Sequence, residues 1–384
     1  MIYLDHAAAT PVCRKALEAM KPYFAEEFFN PSAAYLPAKS VAADYEQAKN
    51  EIAHCVGAKG SDIVITAGAT EANNLAFTVV GRNHGKAAVL YLETEHDSVR
   101  CVAESLGGAA VKVLSSGVID LADLKGKITD ETEMISVSLC NNELGTIQPL
   151  AEVAAIIREV KMDRMKRGVK RQLLLHSDAS QALNLMDISV ARLGVDLLTL
   201  NSAKVYGPKG VGALYVSHDA RLRPLVVGGG QEQGLRSGTE NVSGVIGFAA
   251  AATEAKKHIK SNRLKYRELK RILLDDLQGY ELINKKHTLD NFAVLCYNGL
   301  DAERLVFLLE ERGVYVATGA ACAASKGVRS HVLAAIGLSD SEIAGSLRLS
   351  LGELSDAEQM HAAARIINEV VTKERARVDE NPSA

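Results

Sequence analysis

The chain has 384 residues, 47% of them hydrophobic and 24% charged, with a formal net charge of −3. That length points to two domains rather than one, and the composition is that of a packed globular protein. The charge excludes a general nucleic-acid or membrane-surface binder, and no stretch reaches the roughly 18 apolar residues of a membrane span.

From the N-terminus, Met1-Ile2-Tyr3-Leu4-Asp5-His6 lacks a basic region followed by an apolar run and does not read as a signal peptide. The first motif is Thr66-Ala67-Gly68-Ala69-Thr70-Glu71, a small-residue turn opening a helix through Leu75 and Phe77. Residues 87–92, 134–139, 172–175, 196–200 and 212–216 read as buried strands, with a helix at 150–160. This alternation predicts an α/β domain with a mainly parallel sheet. Beyond residue 260 the pattern changes to a charged helix at 256–277, a strand at 292–297, a helix at 302–311 and a strand at 314–317. A smaller α+β domain is expected there, with no Pro/Gly linker to mark the boundary.

Residues 161–172 carry Lys161, Arg164, Lys166, Arg167, Lys170 and Arg171 against Asp163, a balance of 6 − 1 = +5. The run reads as a solvated helix end, with contact to RNA or an acidic partner as the alternative. Six cysteines (Cys13, Cys55, Cys101, Cys140, Cys296, Cys322) are scattered without a CxxC pair. No metal cage of neighbouring cysteines is expected, and a reducing, cytoplasmic setting is. Cys101 and Cys296 sit in apolar patterns and read as small buried hydrophobes.

In open parallel sheets, ligands bind beyond the carboxyl ends of the strands. The segments following four strands are Glu93-Thr94-Glu95-His96, Cys140-Asn141-Asn142-Glu143, His176-Ser177-Asp178-Ala179-Ser180-Gln181 and Asn201-Ser202-Ala203-Lys204. One rim thus receives His96, Asn142, Asp178 and Lys204. Pyridoxal 5'-phosphate needs a lysine for its aldehyde and an acid for its ring nitrogen. Asp178 suits the acid, and Lys204 the lysine, with Lys209 as competitor. The turn at Gly68-Ala69-Thr70 suits a phosphate, whereas GxGxxG and GxxxxGK[ST] nucleotide patterns are absent. Near the C-terminus, Cys322 lies among small residues in Thr318-Gly319-Ala320-Ala321-Cys322-Ala323-Ala324, with Lys326 and Arg329 following to favour a thiolate.

Further segments complete a pattern: Tyr3-Leu4-Asp5-His6-Ala7-Ala8, Asn30-Pro31-Ser32, Thr94-Glu95-His96, Asn141-Asn142-Glu143-Leu144-Gly145, Asp178-Ala179-Ser180-Gln181, Lys204-Val205-Tyr206-Gly207-Pro208, Arg236-Ser237-Gly238-Thr239 and Arg348-Leu349-Ser350. In their order and over nearly the whole length, the chain resembles the NifS/IscS-type cysteine desulfurases of the class-V aminotransferase group. The resemblance implies the fold type I of pyridoxal-phosphate-dependent transferases. It gives a large domain over 13–260 with a mainly parallel seven-stranded sheet, and a small α+β domain from 1–12 and 261–384 that carries the catalytic-cysteine loop.

It also implies roles. Lys204 is the Schiff-base lysine, Asp178 the acid at the ring nitrogen, and His96 the histidine that stacks on the ring and moves protons. Asn142 and Gln181 contact the ring oxygen. Ala69, Thr70, Asn201 and Ser202 belong to the cofactor's binding turns. Thr239 reaches the phosphate of a neighbouring subunit, so a homodimer is implied. Asn30 and Arg348 hold the carboxylate of the substrate, L-cysteine, and Cys322 receives its sulfur. The implied acceptors are an iron–sulfur scaffold protein and a tRNA-thiolating enzyme, with no membrane or direct nucleic-acid partner. The chain departs from the group in having Ala203 where a phosphate-binding histidine is usual, which implies weaker cofactor binding by one hydrogen bond, about 0.5–3 kcal/mol. The competing readings are another class-V enzyme (an aminotransferase or selenocysteine lyase) and a non-catalytic partner-binding homologue.

Overall fold

A computed structural model describes residues 1–81, 88–319 and 329–380. Its strands, in chain order, are β1 (Ile2–Tyr3), β2 (Ile63–Thr66), β3 (Val89–Leu92), β4 (Ala109–Val111), β5 (Met134–Ser136), β6 (Leu174–Asp178), β7 (Leu197–Asn201), β8 (Gly212–Val216), β9 (Glu281–Leu282), β10 (Phe292–Cys296), β11 (Val314–Tyr315), β12 (Ala317–Thr318) and β13 (Ser346–Ser350).

Seven of them form one sheet in the order β2-β8-β7-β6-β5-β3-β4. All neighbours are parallel except those of β8, which runs antiparallel to both β2 and β7. Two reversals restore direction, so β2 ends at the same edge as β3, β5, β6 and β7. The strands are apolar on both faces because helices cover both. Ile63, Ile65, Leu90, Leu92, Ile135 and Leu175 pack under helices Leu36–Cys55, Leu150–Arg167 and Val242–Asp276. The alternate residues Val64, Val89, Tyr91, Met134 and Leu174 pack under helices Ala69–Phe77 and Asp97–Ser105, as a side-chain period of two requires.

A second, antiparallel sheet has the order β12-β13-β10-β9, and β1 pairs in parallel with β11. The first residues of the chain therefore pack with the C-terminal third, and the Asp5–Ser350 bridge ties them to β13.

The structure departs from the sequence reading in several places. Strand β5 stops at Ser136, not 139, and β6 runs on to Asp178, so Asp178 closes a strand rather than following one. The segment expected as one strand at 314–317 is two short strands in different sheets. The charged helix starts at Val242, where Asn241 caps the Gly244 N–H, and continues unbroken through residue 260 to Asp276. A buried small-residue face (Gly244, Gly247, Ala251, Ala252, Ala255) starts it against the core, which explains why no linker is legible there. Cys101 is exposed on helix Asp97–Ser105, correcting its reading as buried, whereas Cys296 is buried as expected.

The basic run is neutralised locally. Helix Leu150–Arg167 extends past the expected residue 160 and stops at Gly168, which takes the left-handed conformation (φ 77°). Arg164 is 1% exposed, and its guanidinium donates to the carbonyls of Thr129, Thr132, Arg171 and Gln172. Arg167 forks onto Asp130, Arg171 meets Glu131 and Glu133, and Lys161 lies 3.6 Å from Asp196. Four carboxylates distant in sequence thus offset a patch that looked strongly basic. No helix among the described residues is long and apolar enough to cross a membrane.

Candidate active site

Strands β2, β3, β5, β6 and β7 all deliver their carboxyl ends to one edge of the large sheet, where a cavity of about 340 Å³ opens. Its lining joins that edge to the N-terminal segment (Asp5, Ala7, Ala8) and to Arg348 on β13.

Asp178 forms one wall and is 8% exposed. Its Oδ2 accepts a hydrogen bond from Asn73 Nδ2 at 2.9 Å, and its Oδ1 from the Ser180 N–H at 2.9 Å. Asn73 projects from helix Ala69–Phe77 and has no exposed surface. The same amide donates to Ser98 Oγ at 2.9 Å. The hydroxyl and N–H of Ser98 in turn converge on His96 Nδ1 at 2.9 and 3.1 Å. With Nδ1 accepting, the neutral imidazole carries its proton on Nε2. One buried amide therefore orients the acid directly and the histidine through a serine.

Lys204 ends the turn Ser202–Lys204 that follows β7. Its Nζ donates to the carbonyls of Ala7 at 2.7 Å and Ala8 at 2.5 Å, and Gln181 Nε2 donates to Ala7 O at 3.0 Å. The turn beyond is held by Tyr206, a non-glycine residue at φ 62°. Its N–H donates to Thr10 Oγ1 and its hydroxyl accepts from the Glu353 N–H, contacts that hold a conformation such residues rarely adopt. Lys209, the competing lysine, is exposed.

Gly68 opens helix Ala69–Phe77 at φ 151°, a conformation open to glycine. It lies so close to β8 that a Cβ on Gly212 would come within 2.6 Å of the Gly68 carbonyl carbon. The first N–H groups of that helix have no intrahelical acceptor, and Ala69 and Thr70 line the cavity. Opposite, Arg348 is 3% exposed and donates to Asn142 O at 2.9 Å and to Asp5 Oδ1 at 2.6 Å, while its Nε is buried without a partner among the described residues.

Two further acids are buried here. Glu95 has no exposed surface, and its Oε1 accepts from the Ser138 N–H at 2.6 Å. Burial first, then the nearby Asp178 charge, pushes its carboxyl up to about 8. Glu143 accepts from Ser330 Oγ at 2.5 Å, and burial pushes it up to about 7. Cys140 also lines the cavity, but burial raises its thiol well above the usual range, which disfavours the thiolate.

Of the residues expected from sequence, the cavity brings together Ala69, Thr70, His96, Asn142, Asp178, Gln181, Asn201, Lys204 and Arg348. Ser202 is not among its lining residues; its hydroxyl is buried where a Cβ on Gly207 would come within 2.2 Å. Asn30 and Thr239 are exposed and do not line it either. Cys322 lies outside the described residues. Ala203 also stays off the wall, its N–H donating to Asn201 Oδ1 and its carbonyl accepting from Thr10. The sequence reading missed Asp5, Asn73, Glu95, Ser98, Ser138 and Ser180. Asn73 had a signal: it sits one turn beyond Ala69 and Thr70, on the sheet side of a helix whose start was already singled out.

The donor set fits pyridoxal phosphate. A primary amine, a buried carboxylate and a helix N-terminus surround one cavity, with the buried Ser180 hydroxyl and Arg348 Nε lacking partners among the described residues.

Comparison with known proteins gives the same answer. The family described as Aminotransferase class-V matches residues 2–362. A protein named cysteine desulfurase IscS 1, from Archaeoglobus fulgidus, is 34% identical over 98% of this chain and 98% of its own. Among solved structures, a NifS-like protein superposes with a TM-score of 0.88 at 29% identity, covering 97% of this chain and 99% of that one. Another, titled SspA in complex with cysteine, has a TM-score of 0.80 at 33% identity over 91% of this chain and 99% of its own. The chain belongs to the class-V aminotransferase family, in its NifS/IscS cysteine desulfurase branch.

Proposed function

We propose that this chain is a pyridoxal-phosphate-dependent cysteine desulfurase that converts L-cysteine to L-alanine and takes the sulfur as a persulfide on Cys322. The observation that carries the reading is the single cavity walled by Lys204, Asp178, His96 and Arg348. When bound, pyridoxal phosphate supplies an electron sink that labilises bonds at the substrate's α-carbon and assists loss of its β-substituent.

The chain's residues supply the rest. Lys204 provides the amine that attaches the cofactor. Asp178, fixed by Asn73 and Ser180, would meet the ring nitrogen and keep it protonated. The helix start at Ala69 and Thr70 takes the phosphate with backbone N–H groups and the positive end of the helix dipole. Asn142, Gln181 and Asn201 complete the cofactor wall. His96, with its proton on Nε2, and Lys204 hold and move protons at the reacting carbon. Arg348 orients the substrate carboxylate, for which a planar guanidinium suits a bidentate grip, with Asn30 as the second group. The thiolate of Cys322 bonds to the substrate sulfur as the carbon–sulfur bond breaks; the carbon gains a proton and leaves as alanine. The ends flanking residues 320–328 support this role. Gly319 is bonded to Ser346 on β13, and Ser330 to Glu143 beside Asn142, so both attach next to the cavity.

The protein acts as a homodimer in which Thr239 reaches the partner's phosphate. Supporting this, Thr239 is exposed, and Val227 in the preceding segment is an apolar residue 85% exposed. The persulfide sulfur passes in the cytoplasm to an iron–sulfur scaffold protein or a tRNA-thiolating enzyme, consistent with the chain's likeness to IscS-named relatives.

The test is the absorbance of the purified protein loaded with pyridoxal phosphate, before and after L-cysteine, beside Lys204→Ala. The reading expects a cofactor band that cysteine perturbs in the wild type. Lys204→Ala should lack the cofactor that remains covalently fixed in the wild type after borohydride reduction. A wild-type protein that takes up no cofactor would overturn the reading.

A further inference from the structure

Glu95 is the buried acid that the chemistry above leaves unused. It lines the cavity, has no exposed surface, and stands on the turn that also carries His96. Its Oε1 accepts the Ser138 N–H at 2.6 Å, while its Oε2 is buried without a hydrogen-bond partner among the described residues. A carboxylate in that position would leave one charged oxygen desolvated and unpaired beside Asp178, an arrangement too costly to persist when a proton removes it.

The groups facing it offset such a charge only in part: the Ser138 N–H and the hydroxyls of Ser138 and Ser136 favour it, and burial outweighs them. On β6 are Asp178, whose charge opposes a second one, and His176, which burial holds neutral. His176 is fully buried between the hydroxyls of Ser136 and Thr199, at 2.8 and 3.1 Å. On its own turn is His96, whose Nδ1 already accepts from Ser98. From helix His331–Ala335, the His331 Nε2 is 2.9 Å from the Glu95 carbonyl oxygen, not its carboxyl, and burial lowers that imidazole too. The two basic side chains that line the cavity among the described residues are engaged elsewhere, Arg348 with Asp5 and Lys204 with the carbonyls of Ala7 and Ala8. Burial and the charge of Asp178 accordingly raise the Glu95 carboxyl to about 8.

We infer that Glu95 is a positioning residue kept as a neutral carboxylic acid, so that Asp178 is the single carboxylate presented to the ring nitrogen and the charge of the bound ring depends on the protonation of Glu95. The second clause rests on the pyridoxal-phosphate reading; the first does not. As Glu95 ionises, a second negative charge arises near the ring, holds its nitrogen proton more tightly and changes the cofactor's absorbance. The cationic ring offsets Asp178, so in the loaded protein Glu95 ionises at lower pH than in the cofactor-free protein.

Two measurements on the full-length protein test this, with Glu95→Gln as the isostere that keeps the acceptor for Ser138 but cannot ionise. The first is infrared difference spectroscopy of cofactor-free wild type against Glu95→Gln. The expected result is a protonated-carboxyl band at neutral pH that is missing in the variant and fades in the wild type around pH 8. Absence of that band at neutral pH would overturn the inference whether or not the chain binds cofactor. The second is a pH titration of the cofactor's absorbance in the loaded proteins. The wild type should show a step that Glu95→Gln lacks, and Glu95→Ala, which has no acceptor for Ser138, should lack it as well. A step that persists unchanged in Glu95→Gln would overturn the link to the ring. If the wild type takes up no cofactor, that link falls with the functional reading, and the infrared result still decides the state of Glu95.

Discussion

Replacing Asn73 by Ala tests whether one buried amide organises the site. The substitution removes two donors, one to Asp178 Oδ2 and one to Ser98 Oγ, both at 2.9 Å. A hydrogen bond to a charged group contributes about 1.5–3 kcal/mol and a neutral one about 0.5–1.5 kcal/mol. Asn73 has no exposed surface, so water cannot readily replace either donor, and a loss of about 2–4 kcal/mol in folding stability follows. The bonds exist without cofactor, so the loss should appear in the cofactor-free protein. The assay is urea unfolding, reading the midpoint at constant m-value. A double-mutant cycle with Asp178→Asn isolates the charge-assisted bond, with an expected coupling of about 1–2 kcal/mol. Asn73→Asp adds a sign. It buries a second carboxyl against Asp178, so one folded-state pKa rises above its unfolded value. The stability of that variant relative to wild type must therefore be best in acid and fall as pH rises. If Asn73→Ala costs less than about 0.5 kcal/mol, or Asn73→Asp shows no relative loss with rising pH, the amide is not holding Asp178 and the reasoning fails.

Cys322→Ser should abolish sulfur release while leaving the cofactor's absorbance in place; full retained activity would remove the nucleophile from the account. Glu143→Gln tests a second buried acid. Its folded value is raised from 4.5 to about 7, so its contribution is complete below the unfolded value and is lost as pH rises towards 7, by about 3 kcal/mol at 1.36 kcal/mol per unit. Thermal unfolding across that range should fall less steeply with pH in Glu143→Gln than in wild type. Arg164→Met, which strips the donors from four carbonyls, should cost about 3 kcal/mol or more by urea unfolding. Arg167→Ala, whose pairs are half exposed, should cost no more than about 1 kcal/mol.

Where the sequence pattern was local, it was enough. The buried strands announced themselves by apolar runs, and their ends carried His96, Asn142, Asp178 and Lys204 in plain view. The turn at Gly68 was readable because only small residues and a left-over helix N-terminus suit it. What stayed hidden depends on contacts between segments far apart in the chain. Asp5 reaches Arg348 only because β1 pairs with β11 and the Asp5–Ser350 bridge sets the register. The neutralisation of the basic run needs Asp130, Glu131 and Glu133, which no local charge count includes. Cys101 looked buried because apolar neighbours surround it in sequence, yet helix Asp97–Ser105 turns it outward. Glu95 drew no reading of its own from the sequence, because its burial comes from segments far away in the chain, among them Ser138 beyond β5.

The most direct test of the central claim is to incubate the loaded protein with L-cysteine and a reductant and to quantify both products. The account expects alanine and sulfide in equal amounts, with turnover lost in Lys204→Ala and Cys322→Ser. A protein that binds pyridoxal phosphate and responds to cysteine, yet forms no sulfide or instead transfers the amino group to a keto acid, would contradict it.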